Sequence, residues 1–159
     1  MSEEKQFQPM LAPSNKDGLD LSKLPYPMLM SPKLDGVRAI VKGGVLLSRN
    51  LKPIPNYYAQ KFFACLPEGT DGELGVGDPT DKDFYRRTVS VVMSEDKISS
   101  EEKPLCFHVF DNFLQPGGFS RRLSFVNSSS ANKANIDNRY VKCVPHYEVY
   151  TQDDVTELE

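Results

Sequence analysis

Apolar and polar positions alternate most clearly in Val37–Lys42, where Val37, Ala39 and Val41 are interleaved with Arg38, Ile40 and Lys42. A period of two predicts a strand with one face buried. Gly43-Gly44 then separates this segment from Val45–Arg49, the two-residue signal of a hairpin. Pro27–Met30 reads as an earlier strand, and Pro53 with Pro55 closes the region. From Asn56, a capping residue, the pattern becomes helical, with Tyr58, Phe62, Cys65 and Leu66 on one face. Asp71–Val76 predicts a short strand. Thr80 with Asp83 has the form of a capping box and opens a helix whose face is Tyr85, Val89 and Val92. Glu95–Lys103 is charged and polar, and predicts a mobile surface loop. Leu105–Phe113 predicts a strongly apolar strand, broken by Pro116-Gly117-Gly118. A helix around Arg121–Val126 runs into a Ser/Asn tract, a strand region extends from Tyr140 to Tyr150, and Thr151 caps a last helix. Residues 1–25 read as an extended arm and residues 26–159 as the folded portion. Strands and helices mix without regular alternation or repeat, which predicts an α+β fold.

Composition narrows the class. With 159 residues, 39% hydrophobic and 26% charged, the chain is long enough for one globular core and too apolar to be disordered throughout. No apolar run approaches bilayer length, and the N-terminal MSEEKQFQPM carries no apolar signal core. The expectation is a cytoplasmic protein without a membrane partner. Cys65, Cys106 and Cys143 are odd in number and scattered, and His108 and His146 have no Cys/His cluster around them. Both facts argue against a disulfide framework and a zinc site.

The net charge of -3 hides an asymmetry. Residues 1–66 carry nine Lys/Arg against five Asp/Glu, whereas residues 67–159 carry ten against seventeen. Gly36–Pro67 holds Arg38, Lys42, Arg49, Lys52 and Lys61 and no acid. Such a stripe suits phosphates, and equally a solvated basic face.

One lysine stands out chemically. In Ser31-Pro32-Lys33-Leu34-Asp35-Gly36-Val37-Arg38, Lys33 sits where a strand ends and a turn begins, fixed by strands on both sides. As a nucleophile it must lose its proton. With a reference pKa of about 10.4, roughly one molecule in a thousand is neutral near pH 7.5, a fraction that cationic neighbours and desolvation raise. Asp35 and Gly36 support the turn, and Gly36 leaves room for a ligand backbone to approach. A surface Lys–Asp pair in a hairpin is the plainer alternative.

Lys33-x-Asp35-Gly36-x-Arg38 resembles the nucleotidyl-acceptor motif of the covalent nucleotidyltransferases: ATP-dependent DNA ligases, RNA ligases and messenger-RNA capping guanylyltransferases. Further segments follow in that superfamily's order: Leu47-Ser48-Arg49, Asp71-Gly72-Glu73, Phe107-His108-Val109-Phe110-Asp111, and Arg121 with Arg122 after a Gly-containing loop. Ser-Pro-Lys-Leu-Asp-Gly with Ser-Arg-x-Leu-Lys-Pro-Ile-Pro-Asn is most similar to short bacteriophage DNA ligases. The resemblance runs from about Pro9 to the last residue. It implies the N-terminal part of an antiparallel two-sheet adenylation domain, acting on nicked double-stranded DNA in replication, repair and recombination in a phage-infected cell.

The resemblance also assigns roles. Lys33 attacks the α-phosphorus of ATP and holds AMP through a phosphoramide bond. Ser31 stands near the base, where ligases often have Glu or Gln. Arg38 and Arg49 bind ribose and phosphates, and Arg49 with Lys52 meets the DNA phosphate. Glu73 contacts ribose or Mg²⁺, and Phe110 stacks on adenine. Strand alternation places Phe110 with His108 and Asn112 on one face and Phe107, Val109 and Asp111 on the other. Read alone, Phe110 also suits a core position, Glu73 a surface turn and His108 a satisfied strand histidine.

Two ligase motifs are missing from the pattern. There is no Lys-x-Lys, and the one Glu-Gly, Glu68-Gly69, precedes Asp71-Gly72-Glu73. The expectation is a chain cut off before those motifs and before an oligonucleotide-binding domain, inactive or impaired alone, with a separate C-terminal ligase fragment as a partner. An RNA ligase, a capping guanylyltransferase and a non-catalytic split-gene remnant are the alternatives.

Overall fold

The computed structural model describes residues 7–11, 18–129 and 139–158. Much of the expected arm, and most of the Ser/Asn tract, lie outside the described residues. The chain divides into two compact units, residues 1–33 with 145–159, and residues 34–144.

In the first unit, β1 (Met28–Met30) pairs antiparallel with β7 (Tyr147–Val149), Leu29 opposite Glu148. The helix α4 (Gln152–Leu158) follows, with Val155 buried. Thr151 and Asp154 cap it reciprocally: the Asp154 N–H donates to Thr151 Oγ1, and the Thr151 N–H donates to Asp154 Oδ2. A short 3-10 turn, Leu21–Lys23, is capped by Asp20.

The second unit is built on a five-stranded sheet of order β3-β2-β4-β5-β6. Its strands are β2 (Val37–Lys42), β3 (Val45–Ser48), β4 (Thr70–Val76), β5 (Leu105–Asn112) and β6 (Val141–Cys143). Gly43 and Gly44 both adopt positive φ, which the tight β2–β3 turn requires. The sheet was expected to be antiparallel throughout. It is antiparallel from β3 to β5, but β6 joins β5 in parallel, Phe107 opposite Val141. The long connection that carries α3 (Phe119–Ser129) from β5 to β6 is what a parallel neighbour needs. The strand expected over Tyr140–Tyr150 is therefore two strands, β6 and β7, in different sheets.

One face of this sheet is the core. Ala39, Val41, Leu74, Val76, Phe107, Val109 and Val141 meet Phe63, Val91, Val92 and Val126 from the helices. Phe63 packs edge-on against Phe107 at 5.6 Å between centroids. The helix α1 (Tyr57–Phe63) was expected to bury Tyr58, Phe62, Cys65 and Leu66, but its inward residues are Ala59 and Phe63, with Leu66 beyond it, while Phe62 and Cys65 are exposed. Asn56 anchors the start of this helix. Fully buried, it caps α1 by accepting from the Ala59 N–H, and its Nδ2 donates toward the carbonyls of Val91, Ser94 and Lys97 at 2.8–3.0 Å. The Tyr57 N–H donates to Glu95 O. The segment after α2 (Phe84–Val92) is thus pinned to the start of α1.

Helix α2 also turns differently from its expected face. Phe84, Thr88, Val91 and Val92 are buried and Tyr85 is exposed. The Thr88 hydroxyl donates to Phe84 O and accepts from the Val76 N–H, tying helix to strand. No capping box forms, because Thr80 bonds Asp78 and the Asp83 carboxylate holds Arg86.

Candidate functional site

The opposite face of the large sheet is polar. Residues paired in register share a face. Arg38 lies opposite Glu73, Glu73 opposite His108, and His108 opposite Lys142. Four strands therefore contribute one line of charged or titratable side chains, beneath which the alternate positions form the core.

The end of this face nearest Arg38 is organised by two ion pairs. Arg38 Nε and Nη2 donate to the two oxygens of Asp71 at 2.6 and 2.8 Å. Arg122 Nε and Nη2 hold Asp111 in the same way, at 2.8 and 3.1 Å. Asp71 and Asp111 are opposite one another in the β4–β5 ladder. Two adjacent carboxylates, each neutralised by a planar guanidinium, make a fixed array of alternating charge. Burial and the neighbouring Asp111 raise the Asp71 carboxyl above the usual range despite Arg38. Burial alone disfavours the Arg38 cation, but the hydrogen bonds and charge of Asp71, with Glu73 and Asp111, more than compensate and raise its pKa. Arg122 is raised by its bonds to Asp111.

Phe110 enters this array through a β-bulge. Asp71 pairs with Asp111 and Gly72 with Val109, leaving Phe110 as the extra residue on β5. The bulge overturns the expected alternation in which Phe110 and Asp111 occupy opposite faces: the Phe110 ring lies 4.8 Å below the Arg38 guanidinium, and Asp111 lies alongside Asp71. The Phe110 side chain is only half-buried, unlike Phe107 and Val109.

Glycines permit the close packing beneath. A Cβ on Gly36 would lie 2.1 Å from Leu74 O, so it is the chain's own β4, rather than a ligand, that comes close at this position. At Gly72 a Cβ would meet His108 O at 2.3 Å. Neither glycine has positive φ, so space alone selects them.

The other expected side chains, Ser31, Lys33, Asp35, Arg49 and Lys52, are exposed. Lys33 is exposed and ends the first unit; Asp35, also exposed, follows at the start of the second. Ser31 is exposed after β1. Arg49 and Lys52 lie on the turn after the edge strand β3, where the Ser48 N–H donates to Lys52 O and the Leu51 N–H donates to Ser48 O. Both are exposed, and among the described residues neither forms an ion pair. The array joins Arg38, Phe110 and, in register, Glu73. Asp71, Asp111 and Arg122 complete it, and the residue types gave no signal for the Asp71–Asp111 juxtaposition because a bulge creates it.

His108 is the unusual member. It is 7% exposed, and its Nε2 is buried without a hydrogen-bond partner, a state that costs about 1–3 kcal/mol unless something else satisfies it. Burial, together with the Lys142 charge, lowers its pKa to about 4, so the ring is neutral near pH 7.

Glu73 is half-buried on this face, while Asp71 and Asp111 are held by arginines. Among the described residues no cluster of three His, Cys, Asp or Glu side chains forms a metal cage. A single carboxylate on this face fits a Mg²⁺ ion whose other ligands are waters and non-protein oxygens, since Mg²⁺ dehydrates reluctantly. No described helix is long and apolar enough to cross a membrane.

The mixed sheet with its helices on one face has the fold of solved DNA ligase nucleotidyltransferase domains, as the motif resemblance implied. Among solved structures, the chain is similar to Chlorella virus DNA ligase-adenylate, with TM-score 0.75, 22% identity, and coverage of 96% of this chain and 55% of that one. It is also similar to a Lig E DNA ligase studied for DNA binding with a minimal scaffold, with TM-score 0.60, 26% identity, and coverage of 88% of this chain and 50% of that one. The chain thus spans about half the length of the solved ligases it matches. No protein-family model matches it, and no curated protein sequence does.

Proposed function

We propose that this chain is the nucleotide-binding part of an ATP-dependent DNA ligase that activates a DNA 5′-phosphate through a lysyl-AMP intermediate. The observation that carries the reading is the Arg38–Phe110–Asp71 array in a ligase fold, with Lys33 five residues before Arg38 in the same motif.

Each residue then has a physical task. The neutral Lys33 amine attacks the α-phosphorus, a P–N bond forms, the bond to pyrophosphate breaks, and the amine gives up its proton. AMP passes from Lys33 to the 5′-phosphate at a nick, and the adjacent 3′-hydroxyl displaces it. Arg38 keeps three N–H donors beyond the two used on Asp71, and these bind ribose or phosphate oxygens without losing the anchor. Phe110 stacks the base on the ring face that Arg38 leaves, and Glu73 holds ribose or the metal. Bound Mg²⁺ supplies charge neutralisation at the phosphates. Arg49 and Lys52, exposed on their turn, meet the DNA phosphate, and Ser31 lies near the base.

The test is to incubate the full-length gene product with ATP labelled at the α-phosphate and Mg²⁺, and to map the labelled peptide. Label on Lys33, lost in Lys33→Ala and in Lys33→Arg, whose guanidinium stays protonated, is the expected result. Label on another lysine, or transfer from GTP in preference to ATP, overturns the reading. Sealing of RNA ends but not nicked DNA reassigns the substrate.

A further inference from the structure

Arg38 and Arg122 are held alike. Each guanidinium donates through Nε and Nη2 to one carboxylate, Asp71 for Arg38 and Asp111 for Arg122. Each Cζ also stands over an aromatic ring, Phe110 at 4.8 Å and Phe119 at 5.5 Å. The proposed function gives tasks to Arg38 and Phe110 and none to Arg122. Yet Asp111 follows Phe110 in the chain and faces Asp71 across the β4–β5 ladder, at the bulge that sets Phe110 aside. Opposed residues in a ladder have Cβ atoms about 4.5–5.5 Å apart, and like charges there repel.

We propose that Arg122 is a positioning residue for nucleotide binding: by neutralising Asp111 it keeps that carboxylate from competing for Arg38, so that Arg38 stays on Asp71 and over Phe110. The inference rests on the reading that this array takes ATP.

Asp111 acts by charge on both partners of the first pair. Burial and then the Asp111 charge raise the Asp71 carboxyl, and the same charge adds to the attraction felt by Arg38. Side-chain exposure is 19% and 8% in the Arg38–Asp71 pair and 22% and 15% in the Arg122–Asp111 pair, so water screens these charges little. Without Arg122, the Asp111 carboxylate is left beside the remaining arginine of the array, Arg38, and draws on the donors that a ligand needs. Arg122 itself works within the chain. Its Nε and Nη2 bond Asp111, and its Nη1 donates to Gly117 O at 3.2 Å, which ties the end of β5 to the loop before α3. Its influence on a ligand therefore runs through Asp111.

The test uses the full-length gene product and measures the half-saturating ATP concentration and the maximal rate of lysyl-AMP formation, with thermal melts to show that each variant is folded. Arg122→Gln should raise half-saturating ATP about tenfold and change the maximal rate less than about threefold, the mark of lost binding that is not specific to the transition state. Adding Asp111→Asn to Arg122→Gln removes the unbalanced charge and should return half-saturating ATP to within about threefold of the wild type. Arg122→Lys, which keeps the charge without the planar fork, should raise it about threefold. A rise that persists undiminished in the double variant shows that Arg122 does not act through Asp111, and overturns the inference. So does a lower melting temperature with unchanged ATP saturation, or a loss confined to the maximal rate. If Arg122→Gln does not fold, Arg122→Lys decides by the same two criteria. In each of these outcomes the wild type still adenylates Lys33; absence of lysyl-AMP from the wild type removes both readings together.

Discussion

The guanidinium of Arg38 is held by Asp71 through two hydrogen bonds of 2.6 and 2.8 Å while its Cζ stands over the ring of Phe110, 4.8 Å from the centroid. Both contacts restrain the same group. A lysine in this place could make one of them at most, as a point charge on a flexible stem. The array is therefore ordered by contacts within the chain itself.

Asp71→Asn removes the counter-charge and leaves the largely buried Arg38 beside a neutral amide. The expected loss is about 3 kcal/mol of folding stability, the scale for breaking one side of a buried pair. Chemical denaturation measures it, and a loss below about 1 kcal/mol would show that Arg38 finds another partner.

Phe110→Ala should weaken ATP binding by about tenfold or more, in line with the roughly 1–3 kcal/mol of base–aromatic stacking, while Phe110→Tyr retains most of the affinity. Calorimetric titration separates this from packing: variants that melt earlier but bind ATP as before would make Phe110 a structural residue.

Asn56→Asp replaces a donor facing three carbonyls with an acceptor. Its effect should exceed that of Asn56→Ala, with a loss of about 3 kcal/mol or more against roughly 2. Amide hydrogen exchange across residues 94–97 should accelerate in both, since Asn56 Nδ2 reaches Ser94 O and Lys97 O.

His108, with a folded-state pKa of about 4 against 6.5, is neutral when folded and takes a proton on unfolding in mild acid. Glu73 on β4 and Lys142 on β6 are its register neighbours. The unfolded state binds more protons between these two pKa values, so stability falls as pH drops from 6.5 toward 4, by at most about 1.4 kcal/mol per unit. Urea midpoints across this window should be steep for the wild type and flatter for His108→Gln; parallel profiles would place the acid sensitivity elsewhere.

The elements themselves were largely legible. Val37–Lys42, the Gly43-Gly44 turn, the Asn56 and Thr151 caps and the apolar β5 stand where the pattern put them, because they depend on local periodicity and turn chemistry. The helix faces were not. Tyr58/Phe62 and Ala59/Phe63 both satisfy a period of 3.6, and tertiary contacts select the second: Asn56 bonds the segment after α2, Gln60 bonds Leu46 and Ile54, and Phe63 packs on Phe107. The Thr80–Asp83 capping box failed for a similar reason, since Asp78 and Arg86 engage those side chains first.

The sequence by itself determined which chemistry is present: a lysine, Lys33, in a turn-forming motif, then Arg38, Glu73 and Phe110 in the order shared with DNA ligases. Tertiary structure decided where these residues stand relative to their neighbours. The parallel placing of β6 brought Lys142 beside His108, and the bulge at Phe110 brought Asp111 beside Asp71. Both depend on register between strands far apart in the chain, which no local pattern specifies. The unpaired Nε2 of His108 is likewise a property of its surroundings and not of its residue type.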